Sequence, residues 1–219
     1  MSLIFSLPLV IYIIWIYGLP MTPALAALAM GIVHFLYWTS YSKAYEHGDL
    51  SHIYPIIRSA PALVLILAII FLQEKVTTLG VLGIFTITIG VYALNLKKIN
   101  LKVFLEPILL IPKEKHTRWA FISMLLVATY TILDRFIVSS INPIVYGFLI
   151  AFSAGILYFI YLFETKSLAP FKHSWKTEKK EIIMNGIFAA VVYPLILFTY
   201  SFAKVSYVTA LRQISVILA

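Results

Sequence analysis

The segment Ser51-His52-Ile53-Tyr54-Pro55-Ile56-Ile57-Arg58-Ser59-Ala60-Pro61 sets an arginine inside apolar sequence. An apolar run from Ala62 to Leu72, the polar break Gln73-Glu74-Lys75 and a second apolar run from Val76 to Leu94 follow it. Two membrane-spanning helices joined by a tight polar turn fit this pattern best. A charged side chain at the centre of a membrane helix costs roughly 2.5 kcal/mol or more, so Arg58 is a functional-site candidate by default. It stands about one turn inside the expected helix, so snorkelling to the interface along its own aliphatic stem is the competing explanation.

Working outward, composition settles the solvent. Hydrophobic residues make up 62% of the 219 residues and charged residues 12%, with a mean hydropathy of +0.96. A chain of that kind cannot cover a soluble core with polar surface and belongs in a bilayer. Apolar segments fall at 3–17, 22–44, 53–73, 76–96, 118–138, 142–163, 182–203 and 205–219. Crossing ~30 Å takes about 20 residues, which the six middle segments satisfy while the first and last are short. Runs this long and uniformly apolar are not the ~10-residue alternating strands of an outer-membrane barrel. The fold class is therefore an all-α membrane protein, a polytopic helical bundle of about eight segments.

The chain has no cysteine, which excludes disulfides, thiolate nucleophiles and cysteine metal sites. The N-terminus lacks the basic region of a secretory signal, although Ala24-Leu25-Ala26 has the small residues of a cleavage site. A net charge of +8 raises the question of nucleic acid, but the basic residues gather in loops, so no nucleic-acid partner is expected. Lys97, Lys98, Lys102, Lys113, Lys115 and Arg118 share one connection, and Lys166, Lys172, Lys176, Lys179 and Lys180 another. Counted on alternate sides, both fall with Lys43, opposite Lys75, Lys204 and Arg135. The positive-inside rule makes that basic side cytoplasmic. Within 98–117, Pro107 is expected to interrupt any helix, and this basic linker to lie along the interface.

An internal repeat organises the rest. Tyr41-Ser42-Lys43-Ala44 closes one apolar segment, and Tyr200-Ser201-Phe202-Ala203 closes another. The run from Ser51 to Arg58 is echoed by Ser206-Tyr207-Val208-Thr209-Ala210-Leu211-Arg212. The two arginine segments are an odd number of spans apart, so they enter the membrane from opposite faces. That is the signature of an inverted-topology repeat, with substrate sites near the midplane between the halves.

At these residues the chain resembles a known family. Tyr54-Pro55, Arg58, Pro61, the Gln73-Glu74-Lys75 turn and the Gly80, Gly83, Gly90 helix resemble the latter part of an EamA domain of the drug/metabolite transporter superfamily. Tyr130 to Arg135 with Asn142-Pro143 resembles the opening of a second such domain, and Tyr207 to Ser215 its fourth helix. The resemblance implies two five-helix domains around a central substrate pathway, of which residues 1–97 and 118–219 are partial repeats. It implies a remnant of a ten-helix 5+5 inverted-repeat transporter, truncated at both ends. It also implies cytoplasmic termini, which would place the 97–118 loop outside, against the charge count followed here.

The candidate substrate-binding set is Arg212, Arg58, Tyr54, Tyr130, Asp134, Trp38, Tyr41, Tyr200 and Ser215. Arg212 stands deeper in its segment than Arg58, and Ser206, Thr209 and Ser215 are expected to share a polar face with it, suited to an anionic or zwitterionic substrate. Asp134 and Arg135 have the alternative of a surface ion pair, and Tyr37, Trp38 and Tyr41 that of an interfacial belt. Glu74-Lys75 is most simply a solvated turn, and Gly83, Thr86 and Gly90 a close-packing face. The five histidines lack metal-ligand spacing apart from the loop pair His47/His52, and no paired-carboxylate, P-loop or nucleophile-elbow motif is present. The expectation is a non-enzymatic multi-pass transporter of the inner or plasma membrane, with no metal or cofactor and no ATP drive. It moves a small metabolite or amphiphile by alternating access, with the lipid bilayer and a small-molecule substrate as partners and a homodimer among the assemblies open to it. The competing class is a non-transporting truncated membrane protein, or an assembly subunit whose partner supplies the missing helices.

Overall fold

The structure, a computed structural model, describes residues 8, 11–12, 15–16, 21–94, 96, 100–165 and 174–215. The expected helix 3–17 lies mostly outside these residues, as do Lys97, Lys98, Lys166, Lys172, His173 and the end of the 205–219 segment. The described residues are 85% helical and include no strand. The helices are α1 (Met21–Tyr45), α2 (Leu50–Arg58), α3 (Ala60–Phe71), α4 (Thr78–Leu94), α5 (Leu101–Leu110), α6 (Lys115–Val138), α7 (Pro143–Glu164), α8 (Lys179–Phe202) and α9 (Val205–Leu211). Five stretches are long and apolar enough to cross a bilayer: Ala24–Tyr45, Leu50–Phe71, Lys115–Val138, Pro143–Glu164 and Lys179–Phe202. The shorter apolar α4 has 17 residues, the lower end of what spans.

Local chemistry sets the boundaries. Asp49 caps α2 by accepting from the Ser51 amide at 2.9 Å and its hydroxyl at 2.7 Å. The expected helix 53–73 is divided at Ser59, where Pro61 lacks the N–H that would continue the ladder from α2 into α3. Ser59 closes the break with its own hydroxyl, which donates to the Ile56 carbonyl at 2.6 Å. α3 stops where Gln73 takes a positive φ of 52° and the Glu74 amide reaches back to the Ala68 carbonyl at 3.1 Å, a turn of the Schellman type. Asn142 caps α7 through the Ile144 and Val145 amides, with Pro143 in the first turn.

The expected break at Pro107 does not occur. α5 runs through it, with Pro107 buried. A proline leaves only one carbonyl of its helix unmatched while its own φ is helical. The packing of α5 on α2, and the Tyr92 hydroxyl donating to the Phe104 carbonyl at 2.9 Å, hold the turn.

By packing, the chain divides into two units, residues 1–35 with 137–201 and residues 36–136 with 202–219. In the first, Gly31 lies against Ser153, where a Cβ would collide, and Gly147 against Pro194 and Leu197, where a Cβ would be crowded. Buried His34 meets the Tyr193 hydroxyl at 2.9 Å, and Phe35 packs edge-on to Tyr158 and Tyr161. In the second, Ala44, Ile53, Ile56, Ile57 and Ala120 form one cluster, and Leu65, Ile84 and Ala210 another. α9 packs on α3 and α4, which brings the last described helix against residues well over a hundred positions earlier.

Large apolar side chains cover the outside of these helices, among them Ile66, Ile70 and Phe71 on α3, Leu79, Leu82 and Ile89 on α4, and Phe188, Val191 and Leu195 on α8. Such a surface is untenable in water and ordinary against lipid. Among the described residues the close packing expected at Gly83 and Gly90 is not made: nothing lies within 4 Å of a Cβ built there, and that face of α4 points outward. Gly80 is instead the closely packed glycine of α4, lying under the Tyr207 ring.

Candidate functional site

The sequence-derived candidates other than Tyr200 all fall in the second unit. Arg58 is the last residue of α2 and is half-buried. It lies eight residues past the start of the Leu50–Phe71 span, so about 12 Å along the axis at helical rise. Helical side chains lean toward the N-terminus. The guanidinium accordingly sits one turn back, its central carbon 4.9 Å from the centre of the Tyr54 ring. That contact is a cation–π pair, and among the described residues the guanidinium makes no hydrogen bond or ion pair.

Tyr45, which packs with Tyr41 against the cluster of Ala44, Ile53, Ile56, Ile57 and Ala120, begins an aromatic ladder. Tyr37, Tyr41 and Tyr45 follow one another at one-turn intervals on a single face of α1. Tyr45 and Tyr41 have ring centres 4.6 Å apart, Tyr41 and Tyr37 6.0 Å. Trp38 flanks the ladder at 5.6 Å from Tyr41 and 5.1 Å from Tyr37, with its own surface 48% exposed. Beyond Tyr37 the ladder crosses to α6, where the buried Tyr130 ring stands edge-on at 5.4 Å. An interfacial belt gathers aromatics at one depth, whereas this ladder descends about 12 Å along α1. Sequence reasoning found Tyr37, Trp38 and Tyr41 but not Tyr45; the four-residue spacing of Tyr37, Tyr41 and Tyr45 is the signal that would have shown the set.

Asp134 corrects an expectation. It is fully buried, one turn beyond Tyr130 on α6, and not at the surface that its place near a helix end suggested. Tyr200, also buried, belongs to the first unit.

The polar face expected around Arg212 does not form. Arg212 and Ser215 are exposed at the end of α9, and the Ser215 hydroxyl donates to the Arg212 carbonyl at 2.8 Å. Ser206 and Thr209 are buried; the first donates to Glu74 and the second to the Val205 carbonyl at 2.8 Å. At about 100° per residue, offsets of minus six, minus three and plus three spread over half the circumference, so these hydroxyls cannot face one cavity.

The Gln73-Glu74-Lys75 turn is also more than a solvated connection. The half-buried Glu74 carboxylate accepts from the Val205 amide at 2.7 Å, the Ser206 amide at 3.3 Å and the Ser206 hydroxyl at 2.6 Å, capping α9 from across the sequence. Lys204 donates to the Lys75 carbonyl. Sequence alone does not reveal such a cap, because its donors lie about 130 residues away.

The chain is thus a polytopic α-helical membrane protein with an arginine set inside a span. Residues 1–96 match the model of the EamA-like transporter family. Tyr37, Trp38, Tyr41, Tyr45, Tyr54, Arg58 and Glu74 lie inside the matched stretch, and Tyr130, Asp134 and Arg212 beyond it. No curated protein and no solved structure matches the chain.

Proposed function

We propose that the protein carries a small metabolite or amphiphile across the inner or plasma membrane by alternating access, without ATP. The observation that supports this most directly is Arg58, a permanent charge within a membrane-length helix of the transporter-family stretch, its guanidinium on the face of Tyr54. A charge there is costly unless it serves a ligand or a water-filled path. The sequence echo supports the inverted repeat, with Arg58 the last residue of α2 and Arg212 the residue that caps the C-terminus of α9. The test compares small-molecule content of medium and cells expressing the protein or Arg58→Ala at equal membrane level, followed by flux of any changed compound in proteoliposomes lacking ATP. The expected outcome is at least one solute that moves with the native protein and not with the variant. Identical profiles, or flux only when ATP is supplied, would sink the proposal.

A further inference from the structure

The basic residues of the second unit differ in what holds them. Lys43 lies over the Trp119 ring at 4.6 Å, and Lys204 is engaged by the Lys75 carbonyl and the Tyr207 ring. Among the described residues Arg58 has only the face of Tyr54, and a cation on a ring keeps its N–H donors in the plane of the guanidinium unspent. Those donors form a planar fork matched to two oxygens of an oxyanion. The Tyr45, Tyr41, Tyr37 ladder leads from the end of α1 about two turns inward, its Tyr41 and Tyr45 packed against the cluster to which Ile53, Ile56 and Ile57 of α2 belong, and it offers ring faces with hydroxyls at their rims. Charge at the mouth and aromatic surface behind it define the ligand by chemistry.

We propose that Arg58 and the Tyr37–Tyr41–Tyr45 ladder bind an oxyanion carried on a compact apolar body, the oxyanion in the fork of Arg58 and the body along the rings. The inference rests on the transport proposal for its biological sense but not for its test. A soluble carboxylate and the phosphate of an anionic lipid share this chemistry, and the position of Arg58 within a span admits either. A neutral or cationic ligand is disfavoured, the first because it leaves the fork unmatched, the second by direct repulsion.

Trp38 makes the site observable. The full chain in neutral detergent is titrated with 4-nitrobenzoate, whose nitro group quenches indole fluorescence, and with 4-nitrotoluene and 4-nitrobenzylammonium. Saturable quenching by the carboxylate is expected, lost in Trp38→Phe and at least tenfold weaker for the neutral and cationic probes. Arg58→Gln should weaken the carboxylate at least tenfold, Arg58→Lys less, and Tyr41→Leu severalfold with the charge intact. Helical content and monodisperse elution are checked for each variant, and Tyr41→Leu supplies a second variant if Arg58→Gln does not fold. Equal affinity for 4-nitrotoluene, or unchanged affinity in folded Arg58→Gln, overturns the proposal. Repeating the titration in nanodiscs with and without phosphatidylglycerol separates the two sources. Arg58-dependent displacement by that lipid assigns the site to a lipid phosphate, and indifference to it assigns the site to a soluble carboxylate. In proteoliposomes, binding of 4-nitrobenzoate without flux leaves the site standing and removes the transport proposal. Flux of neutral or cationic solutes with no 4-nitrobenzoate binding does the opposite.

Discussion

Glu74 accepts from the amides of Val205 and Ser206, two of the donors that the first turn of a helix leaves unmatched, and places negative charge at the positive end of α9. To present that carboxylate the chain turns through Gln73 at a positive φ, a conformation that costs a side-chain-bearing residue about 1–2 kcal/mol. Glu74→Ala is expected to lower stability by about 2 kcal/mol, within the range of lost caps and charge-assisted hydrogen bonds. Glu74→Gln is expected to cost less, since an amide oxygen still accepts while its nitrogen does not. Thermal unfolding in detergent, followed by circular dichroism, checks both, and an unchanged midpoint in Glu74→Ala would show that the cap is dispensable. Sequence reasoning sees a polar turn of the right length here and no more. The hydrophobic pattern locates the turn, but its hydrogen-bond partners depend on where α9 docks.

Among the elements, α4 shows how one glycine is decisive and another is not. A Cβ at Gly80 would overlap the Tyr207 ring, whose hydroxyl lies 3.4 Å from both the amide and the hydroxyl of Thr77, whereas a Cβ at Gly83 meets nothing within 4 Å. Gly80→Val should therefore push Tyr207 out of its place against α4 and cost about 1–3 kcal/mol, as overpacking does. Gly83→Val should stay within about 0.5 kcal/mol. The sharper check is the pair Gly80→Val with Tyr207→Ala: removing the ring should recover most of the loss, and strictly additive losses would contradict the contact. The same unit explains why α2 and α3 are read as one segment from hydropathy. Their break at Ser59 preserves the apolar run and alters only backbone pairing, so it shows in the prolines and not in the pattern.

For the whole molecule, the loops that alternate counting assigns to one side do meet where the second unit describes them. The His116 ring nitrogen lies 2.9 Å from the Lys43 carbonyl, His52 lies 3.9 Å from Glu114, and the 73–75 turn joins the start of α9. The lysines carry the expectation of which side is cytoplasmic. We expect a cysteine at Lys113 or Lys176, in a chain with none of its own, to resist impermeant maleimide in intact cells, while one at Asn142 is labelled. The reverse pattern would show that the family's usual orientation overrides the positive-inside count.

The sequence by itself determined the solvent, the helical class and most span boundaries, because an apolar run of membrane length has no other stable conformation in lipid. It also determined the EamA likeness of the first part of the chain and the presence of Arg58 in a span. Only the tertiary structure decided which polar groups face each other. Asp134 is buried, Arg212 is exposed, Ser206 belongs to Glu74, and Tyr45 extends the ladder toward Arg58. Hydropathy is a property of a segment and survives without its neighbours. The surroundings of a single side chain depend on helix rotation and docking, and those are set by contacts between residues far apart in the chain, such as Leu65, Ile84 and Ala210.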